Sequence, residues 1–128
     1  MKTATKTKAT RFTSTQAAES YIINAIKNKD LSQVPLHPDV VFQGPFHDTP
    51  IQGIKALQEY LDGLYPIITD ARVKRHVTNG NEVCTEWELE ISQPAVVIPI
   101  LEYFRVSEGR LVEIRPYYDP RPVTGGGQ

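Results

Sequence analysis

The chain has 128 residues, with 14 lysines and arginines against 15 aspartates and glutamates, so its formal net charge is −1. That length suits one domain with one core, and the near-neutral charge excludes an electrostatic case for nucleic acid or anionic membrane. The single cysteine, Cys84, excludes an internal disulfide. The basic start, residues 1–11, precedes no apolar run, so we expect neither a secretory signal nor a membrane span. We therefore expect a cytoplasmic protein.

Two helices are predicted in the first half of the chain. Residues 1–12 are expected to form a disordered arm, after which Thr13 and Gln16 suit a capping box. The apolar residues that recur at helical spacing behind it are Ala17, Ala18, Tyr21, Ile22, Ala25 and Ile26. This helix should end near residues 28–30, and a short strand is expected near residues 40–44. A second amphipathic helix should follow Gly53 and end at Pro66.

Two long hairpins are predicted in the second half. Asn79-Gly80-Asn81 is a typical turn between strands over 70–78 and 83–92. One register satisfies both apolar and charge matching, with the opposite pairs Val77–Val83, Val73–Trp87, Lys74–Glu86 and Arg72–Glu88. The same register turns Arg75 inward, beside Thr85.

The second hairpin, residues 96–118, contains the residue that breaks the pattern. A loop of about three residues at Glu108-Gly109 predicts the opposite pairs Val106–Val112, Phe104–Ile114, Glu102–Pro116 and Arg105–Glu113. Glu102 then lies in an otherwise apolar row, where a carboxylate is costly unless something pairs with it or uses it. Glu102 is therefore the candidate catalytic residue.

Helices followed by long antiparallel strands indicate an α+β domain. We expect a cone-shaped, curved antiparallel sheet with the N-terminal helices packed on its concave face, spanning residues 13–119, and a flexible tail over 120–128. A curved sheet covered by helices leaves a concave apolar cavity of the kind that binds small ligands. The chain has no glycine-rich phosphate loop, no nucleophile motif and no plausible metal-ligand spacing, so no cofactor or metal is expected.

Three stretches carry a resemblance to a known family: residues 39–45 before Gly53, residues 98–106, and residues 109–119. In this order and spacing the chain resembles the nuclear transport factor 2-like superfamily, in its SnoaL-like and ketosteroid-isomerase-like branch. The resemblance implies a cystatin-like cone, a pocket for a small apolar molecule, and a homodimer formed through the outer sheet face. It implies diverse chemistry, so the fold transfers better than the function.

The resemblance also maps catalytic positions of two relatives. Glu102 falls where ketosteroid isomerases carry the protonated aspartic acid of their oxyanion hole. Their general-base aspartate falls on Gly44, and their first-helix tyrosine falls on Ile22, with Tyr21 beside it. Steroid isomerisation by that mechanism is therefore not expected.

The limonene-epoxide-hydrolase relatives use an Asp-Arg-Asp set around a water. Their final-strand aspartate falls on Pro116, and Leu89 or a neighbour occupies the region of their second aspartate. That set is absent too, although Arg75 and Glu102 could form a different acid–arginine arrangement.

Each candidate residue has a structural alternative. Glu102 is either a catalytic acid or ligand anchor, or a structural group bonded to Arg75 or Tyr118. For Arg75, a head that reaches solvent at the sheet edge is the favoured alternative. Tyr60 is expected on the helix surface. His47 and Asp48 could form a His–carboxylate dyad, but adjacent residues seldom face each other, so they are expected to be loop residues without a role in the site. The residues predicted to line the pocket are Phe42, Gly44, Phe46, Arg75, Trp87, Phe104, Ile114 and Tyr118.

Two functions remain open from the sequence. The first is a small-molecule-binding protein that catalyses an acid/base step, such as isomerisation, dehydration, cyclisation or epoxide opening, on an apolar substrate. The second is a non-catalytic ligand carrier or dimerising interaction domain. The missing base at Gly44 favours the second function, whereas a buried Glu102 would favour the first.

Overall fold

A computed structural model of the protein describes residues 11–45 and 47–124. In this part of the chain the helices are α1 (Ser14–Ser20, continued by a π-helix over Tyr21–Lys27), α2 (Ile54–Leu64) and α3 (Arg121–Thr124), with 3₁₀ turns at Leu31–Gln33 and Tyr65–Ile67. The strands are β1 (Leu36–Phe42), β2 (Ile51–Gln52), β3 (Ile68–Asn79), β4 (Glu82–Ser92), β5 (Ala95–Ser107) and β6 (Arg110–Tyr117).

Both ends of the chain differ from the sequence prediction where they are described. Most of the predicted arm, residues 1–10, lies outside the described residues, but Phe12 packs against the core. At the other end, residues 121–124 form one helical turn where a flexible tail was predicted, and Asp119 accepts a hydrogen bond from the backbone nitrogen of Arg121. Residues 125–128 lie outside the described part.

The first helix begins at the predicted capping box. Thr13 Oγ1 accepts from the Gln16 backbone nitrogen at 3.1 Å, and Gln16 Oε1 accepts from the Thr13 nitrogen at 3.0 Å. Its predicted apolar face is buried, and the helix widens to π-type from Tyr21 onward. Such π-helical turns occur frequently at functional sites. No helix in the described ranges is long and apolar enough to cross a membrane.

The strands form one curved sheet in the order β2-β1-β6-β5-β4-β3. Every neighbouring pair is antiparallel except β1 and β6, which run parallel. The α+β fold is therefore confirmed, but the sheet is mixed rather than wholly antiparallel. Alternation within one strand reports which face is buried and carries no information about the direction of its partner.

A β-bulge changes the register of the first hairpin. Val73 lies opposite Trp87 and Arg72 opposite Glu88, as predicted, but the register shifts before Arg75. A bulge adds one residue to one strand, so every later pair moves by one position. The predicted pairs Val77–Val83 and Lys74–Glu86 are therefore wrong, and the observed pairs are Val77–Cys84 and Arg75–Glu86.

The bulge also turns Arg75 outward, so its predicted place beside Thr85 is wrong. The Arg75 side chain is 73% exposed, and its Nε lies 3.0 Å from Glu86 Oε1. His76 takes the inward place instead, with Nδ1 2.8 Å from Thr85 Oγ1. Its Nε2 lies 2.9 Å from Glu19 Oε1, so His76 links the first helix to the sheet.

The second hairpin keeps its predicted register around Glu102. Opposite pairs in the structure are Glu102–Pro116, Phe104–Ile114 and Arg105–Glu113, as the sequence predicts. The turn has two residues, Glu108 and Gly109, both with positive φ, rather than about three. Two positive φ values fit the tight hairpin turns that match strand twist. An irregularity after Arg105 compensates, so Val106 pairs with Leu111 instead of the predicted Val112.

Candidate acid–base site

A cavity of about 250 Å³ lies between the concave sheet face and the helices. Its walls are formed by Tyr21, Ile26, Phe42, His47, Tyr60, Leu61, Leu64, Ile67, Ile68, Trp87, Leu89, Ile91, Ile98, Ile100, Glu102, Pro116 and Tyr118. Aliphatic and aromatic side chains dominate these walls, and a few polar groups interrupt them. This combination is typical of small-molecule sites.

The structure places the predicted site residues in different positions. Phe42, Trp87, Glu102 and Tyr118 line the cavity. Phe104 and Ile114 are fully buried in the core around it. Gly44 lies beside two wall residues, and Arg75 is exposed on the opposite face of the sheet. Phe46 lies outside the described residues.

Glu102 is held in the cavity wall by one neighbour. Glu102 is only 1% exposed, and Trp87 Nε1 donates a hydrogen bond to its Oε1 at 2.9 Å. Oε2 has no hydrogen-bond partner among the described residues. Every buried side-chain oxygen or nitrogen in that set has a partner, so Oε2 keeps accessible surface, and Glu102 lines the cavity. The ion pair with Arg75, one of the structural alternatives for Glu102, is not formed, because the bulge moves that guanidinium to the outer face, where it is exposed as the favoured alternative for Arg75 expected.

Burial decides the charge state of Glu102. Desolvation raises the pKa of its carboxyl from an ordinary value of 4.5 to about 8, although the Trp87 hydrogen bond acts in the opposite direction. The group is therefore mostly neutral near pH 7. Since Oε1 already accepts from Trp87, the proton on Oε2 is available for donation into the cavity.

Tyr21 is the second polar group in the wall. Its ring is buried edge-on against Phe104, with centroids 5.7 Å apart, and burial followed by the charge of Glu102 raises its pKa. The sequence mapping placed the isomerase tyrosine on Ile22, but Ile22 is buried in the core and Tyr21 lines the cavity. The signal was present in the sequence: a tyrosine on the apolar face of a helix needs a polar environment for its hydroxyl.

His47 and Tyr60 also line the cavity, so both sequence interpretations of these residues are wrong. The imidazole packs in T-shaped contacts against Tyr60, at 5.0 Å between centroids, and Phe42, at 5.8 Å. Burial, followed by Tyr118 and Glu102, raises the pKa of Tyr60 to about 12. Asp48, the neighbour of His47, remains exposed.

The imidazole of His47 lies where a side chain at Gly44 would project. A Cβ on Gly44 would meet His47 Nδ1 at 3.4 Å and Pro116 Cγ at 3.6 Å. Gly44 itself holds no carboxylate, and an imidazole borders it. Pro116 and Leu89 both contribute apolar wall.

A profile of the SnoaL-like domain matches residues 18–114. The chain belongs to this SnoaL-like domain family, within the nuclear transport factor 2-like superfamily. A search of curated proteins found no match.

Solved structures share the fold at low sequence identity. An LEH-like epoxide hydrolase from M. tuberculosis is 24% identical, with a TM-score of 0.71 over 88% of this chain and 87% of that one. A steroid delta-isomerase from Pseudomonas aeruginosa is 22% identical, with a TM-score of 0.68 over 85% and 81%. A protein of unknown function with a cystatin-like fold, from Xanthomonas campestris, is 19% identical, with a TM-score of 0.69 over 84% and 91%. At these identities the similarity establishes the fold.

Proposed function

We propose that this protein binds a small, largely apolar molecule in its cavity and that Glu102 performs an acid/base step on it. The observation that carries the proposal is the buried carboxyl whose Oε1 is fixed by Trp87 while Oε2 faces the cavity. A structural carboxyl would use both oxygens within the protein. One held oxygen and one open oxygen suit proton donation to a bound molecule.

The proposed chemistry uses two hydrogen-bond donors, Glu102 and Tyr21. A substrate oxygen accepts the Oε2 proton or hydrogen bond, and the Tyr21 hydroxyl, in the same cavity wall, stabilises the negative charge that develops there. A pKa of about 8 makes Glu102 an effective acid or base close to neutral pH. Isomerisation, dehydration, cyclisation and epoxide opening each need such a step at an oxygen, and each can proceed with side chains alone.

The two named enzymes with this fold support the class of reaction without supplying its details. Epoxide opening and steroid isomerisation are attributed to an LEH-like hydrolase and a delta-isomerase of similar fold. By the resemblance, Gly44, Pro116 and Leu89 or a neighbour fall where those mechanisms use carboxylates, so the proposal takes neither substrate over to this chain. The proposal therefore rests on the cavity and on Glu102, not on the catalytic residues of those two enzymes.

A non-catalytic ligand carrier is the second candidate, and one observation favours it. Among the described residues that line the cavity, Glu102 is the one carboxyl group. Many acid/base enzymes use two titratable groups whose pKa values are pushed apart. A cavity with one neutral carboxyl and several hydroxyl groups is also suited to holding a ligand unchanged.

Glu102→Gln separates these functions. Glutamine keeps the shape, an acceptor for Trp87 and a donor, but it cannot exchange a proton. We would identify the copurifying ligand by mass spectrometry and assay small epoxides, enones and β-hydroxy ketones with the wild type, Glu102→Gln and the exposed control Glu86→Gln. The enzyme proposal expects Glu102→Gln to retain fold and ligand and lose turnover, with Glu86→Gln unchanged.

Two results would contradict the enzyme proposal. Equal turnover in wild type and Glu102→Gln would remove Glu102 from the chemistry. Recovery of the copurified molecule chemically unchanged, together with no turnover of any substrate class by the wild type, would establish the carrier function instead.

A further inference from the structure

The loop that carries His47 closes on itself through three hydrogen bonds. The His47 backbone nitrogen donates to the Gly44 carbonyl at 3.2 Å, and the Gly44 nitrogen donates to His47 Nδ1 at 3.0 Å. Gln43 Nε2 donates to the His47 carbonyl at 3.2 Å. With Tyr60 and Phe42 against its ring, the imidazole has one fixed position. That degree of fixation is what a ligand-contacting group requires.

The hydrogen bond at Nδ1 determines which nitrogen of the ring carries the proton. A nitrogen that accepts from a backbone N–H must present its lone pair, so the neutral imidazole carries its hydrogen on Nε2. Nε2 has no hydrogen-bond partner among the described residues. Every buried polar side-chain atom in that set has a partner, so Nε2 keeps accessible surface. The Nε2–H group of this cavity-lining residue is therefore free to donate to a bound molecule.

We propose that His47 Nε2–H is a further hydrogen-bond donor of the cavity, beside Glu102 and Tyr21, and that the site selects neutral ligands with two acceptor oxygens, one for Glu102 and Tyr21 and one for His47. This inference rests on the ligand-binding part of the proposed function. No described residue that lines the cavity is lysine or arginine, and the nearest candidate from the sequence, Arg75, lies outside. An anionic ligand would lose its hydration there without gaining a cationic partner.

Two isosteric variants separate the donor role of His47 from its role in the loop. In His47→Asn the side-chain oxygen takes the place of Nδ1, which keeps the acceptor for Gly44 and removes the donor. In His47→Gln the side-chain nitrogen takes the place of Nε2, which keeps the donor and removes that acceptor. The probes are trans-decalin, trans-1-decalone and the 1,5- and 2,6-diones of trans-decalin, which are neutral and differ in acceptor number and spacing. Binding is followed by the fluorescence of Trp87, which lies in the cavity wall.

We expect at least one dione to bind the wild type about fivefold more tightly than 1-decalone, the usual gain from one hydrogen bond. His47→Gln should retain this preference, and His47→Asn should lose it while its melting temperature stays near that of the wild type. Nitrogen NMR of the imidazole should show the Nε2-protonated tautomer.

Two results would overturn the inference. One is that His47→Asn binds all probes like the wild type while His47→Gln loses thermal stability, which would make His47 a loop-closing residue. The other is an Nδ1-protonated ring. The ligand-binding proposal has its own test. It predicts that the wild type binds 1-decalone more tightly than trans-decalin, and this result does not depend on the His47 variants.

Discussion

Trp87 Nε1 donates a hydrogen bond to Glu102 Oε1 at 2.9 Å, between side chains of adjacent strands that lie one diagonal step apart. The bond orients the carboxyl and leaves its second oxygen toward the cavity. Trp87 is also the single tryptophan of the chain, so its fluorescence reports on the carboxyl directly. This relationship gives the first two predictions.

The first prediction is that Trp87 fluorescence titrates with Glu102. Ionisation places a negative charge 2.9 Å from the indole nitrogen, and the pKa of this carboxyl is about 8. We expect a fluorescence transition centred near pH 8 in the wild type that is absent in Glu102→Gln. A transition of equal size in both proteins would assign it to another group.

The second prediction concerns stability against pH. The carboxyl of Glu102 titrates at about 8 when folded and near its ordinary value of 4.5 when unfolded, so between these values the unfolded state binds fewer protons. The free energy of unfolding should therefore fall as pH rises from about 5 to about 8, by an amount on the order of a few kcal/mol. Urea denaturation at several pH values should show this fall in the wild type and a flatter profile in Glu102→Gln. Parallel profiles would place Glu102 in water.

The third prediction tests the outward position of Arg75. Its ion pair with Glu86 is exposed, and exposed pairs contribute roughly 0–1 kcal/mol. Arg75→Ala should therefore leave both the free energy of unfolding and the pH 8 fluorescence transition nearly unchanged. A large upward shift of that transition would mean that the guanidinium reaches Glu102 after all, because a nearby positive charge lowers the pKa of a carboxyl and its removal raises it.

The fourth prediction concerns steroid isomerisation. Gly44 supplies no carboxylate, and the carboxylate of Asp48, four residues further along the chain, is exposed. Turnover of a delta-5-ketosteroid, followed by the absorbance of the conjugated product, should be near background. Robust turnover would show that another residue supplies the base, and the variants Asp48→Asn and His47→Gln would then identify it.

The fifth prediction concerns assembly through the outer sheet face. Leu101 and Tyr117 lie opposite each other there and are 51% and 54% exposed. Such an apolar area beside charged pairs suits a symmetric homodimer. Sedimentation should show a dimer for the wild type and a shift to monomer for Leu101→Glu. Ile54→Glu, an exposed apolar control on α2, should remain dimeric, and a wild-type monomer at high micromolar concentration would contradict the prediction.

The sequence by itself determined the elements and the anomaly. Capping at Thr13, the turn at Gly80 and the alternation around Glu102 are local patterns, and local patterns are set by backbone sterics and by which face must be buried. Glu102 opposite Pro116 was predicted from a loop of about three residues, and the pair is present because an irregularity after Arg105 compensates for the shorter turn. The fold class followed from the order of the elements and from the resemblance to the SnoaL-like branch.

Only the tertiary structure decided which polar side chains meet Glu102. A single extra residue in β3 reverses every later side chain of that strand, so Arg75 lies on the outer face and the half-buried His76 lies on the inner face beside Thr85. Trp87 on β4 bonds to Glu102 diagonally on the neighbouring strand β5. His47 lines the cavity from a loop that folds back on Gly44. Bulges, diagonal contacts and loop closure depend on packing between distant segments, whose spacing in three dimensions is not periodic in the sequence.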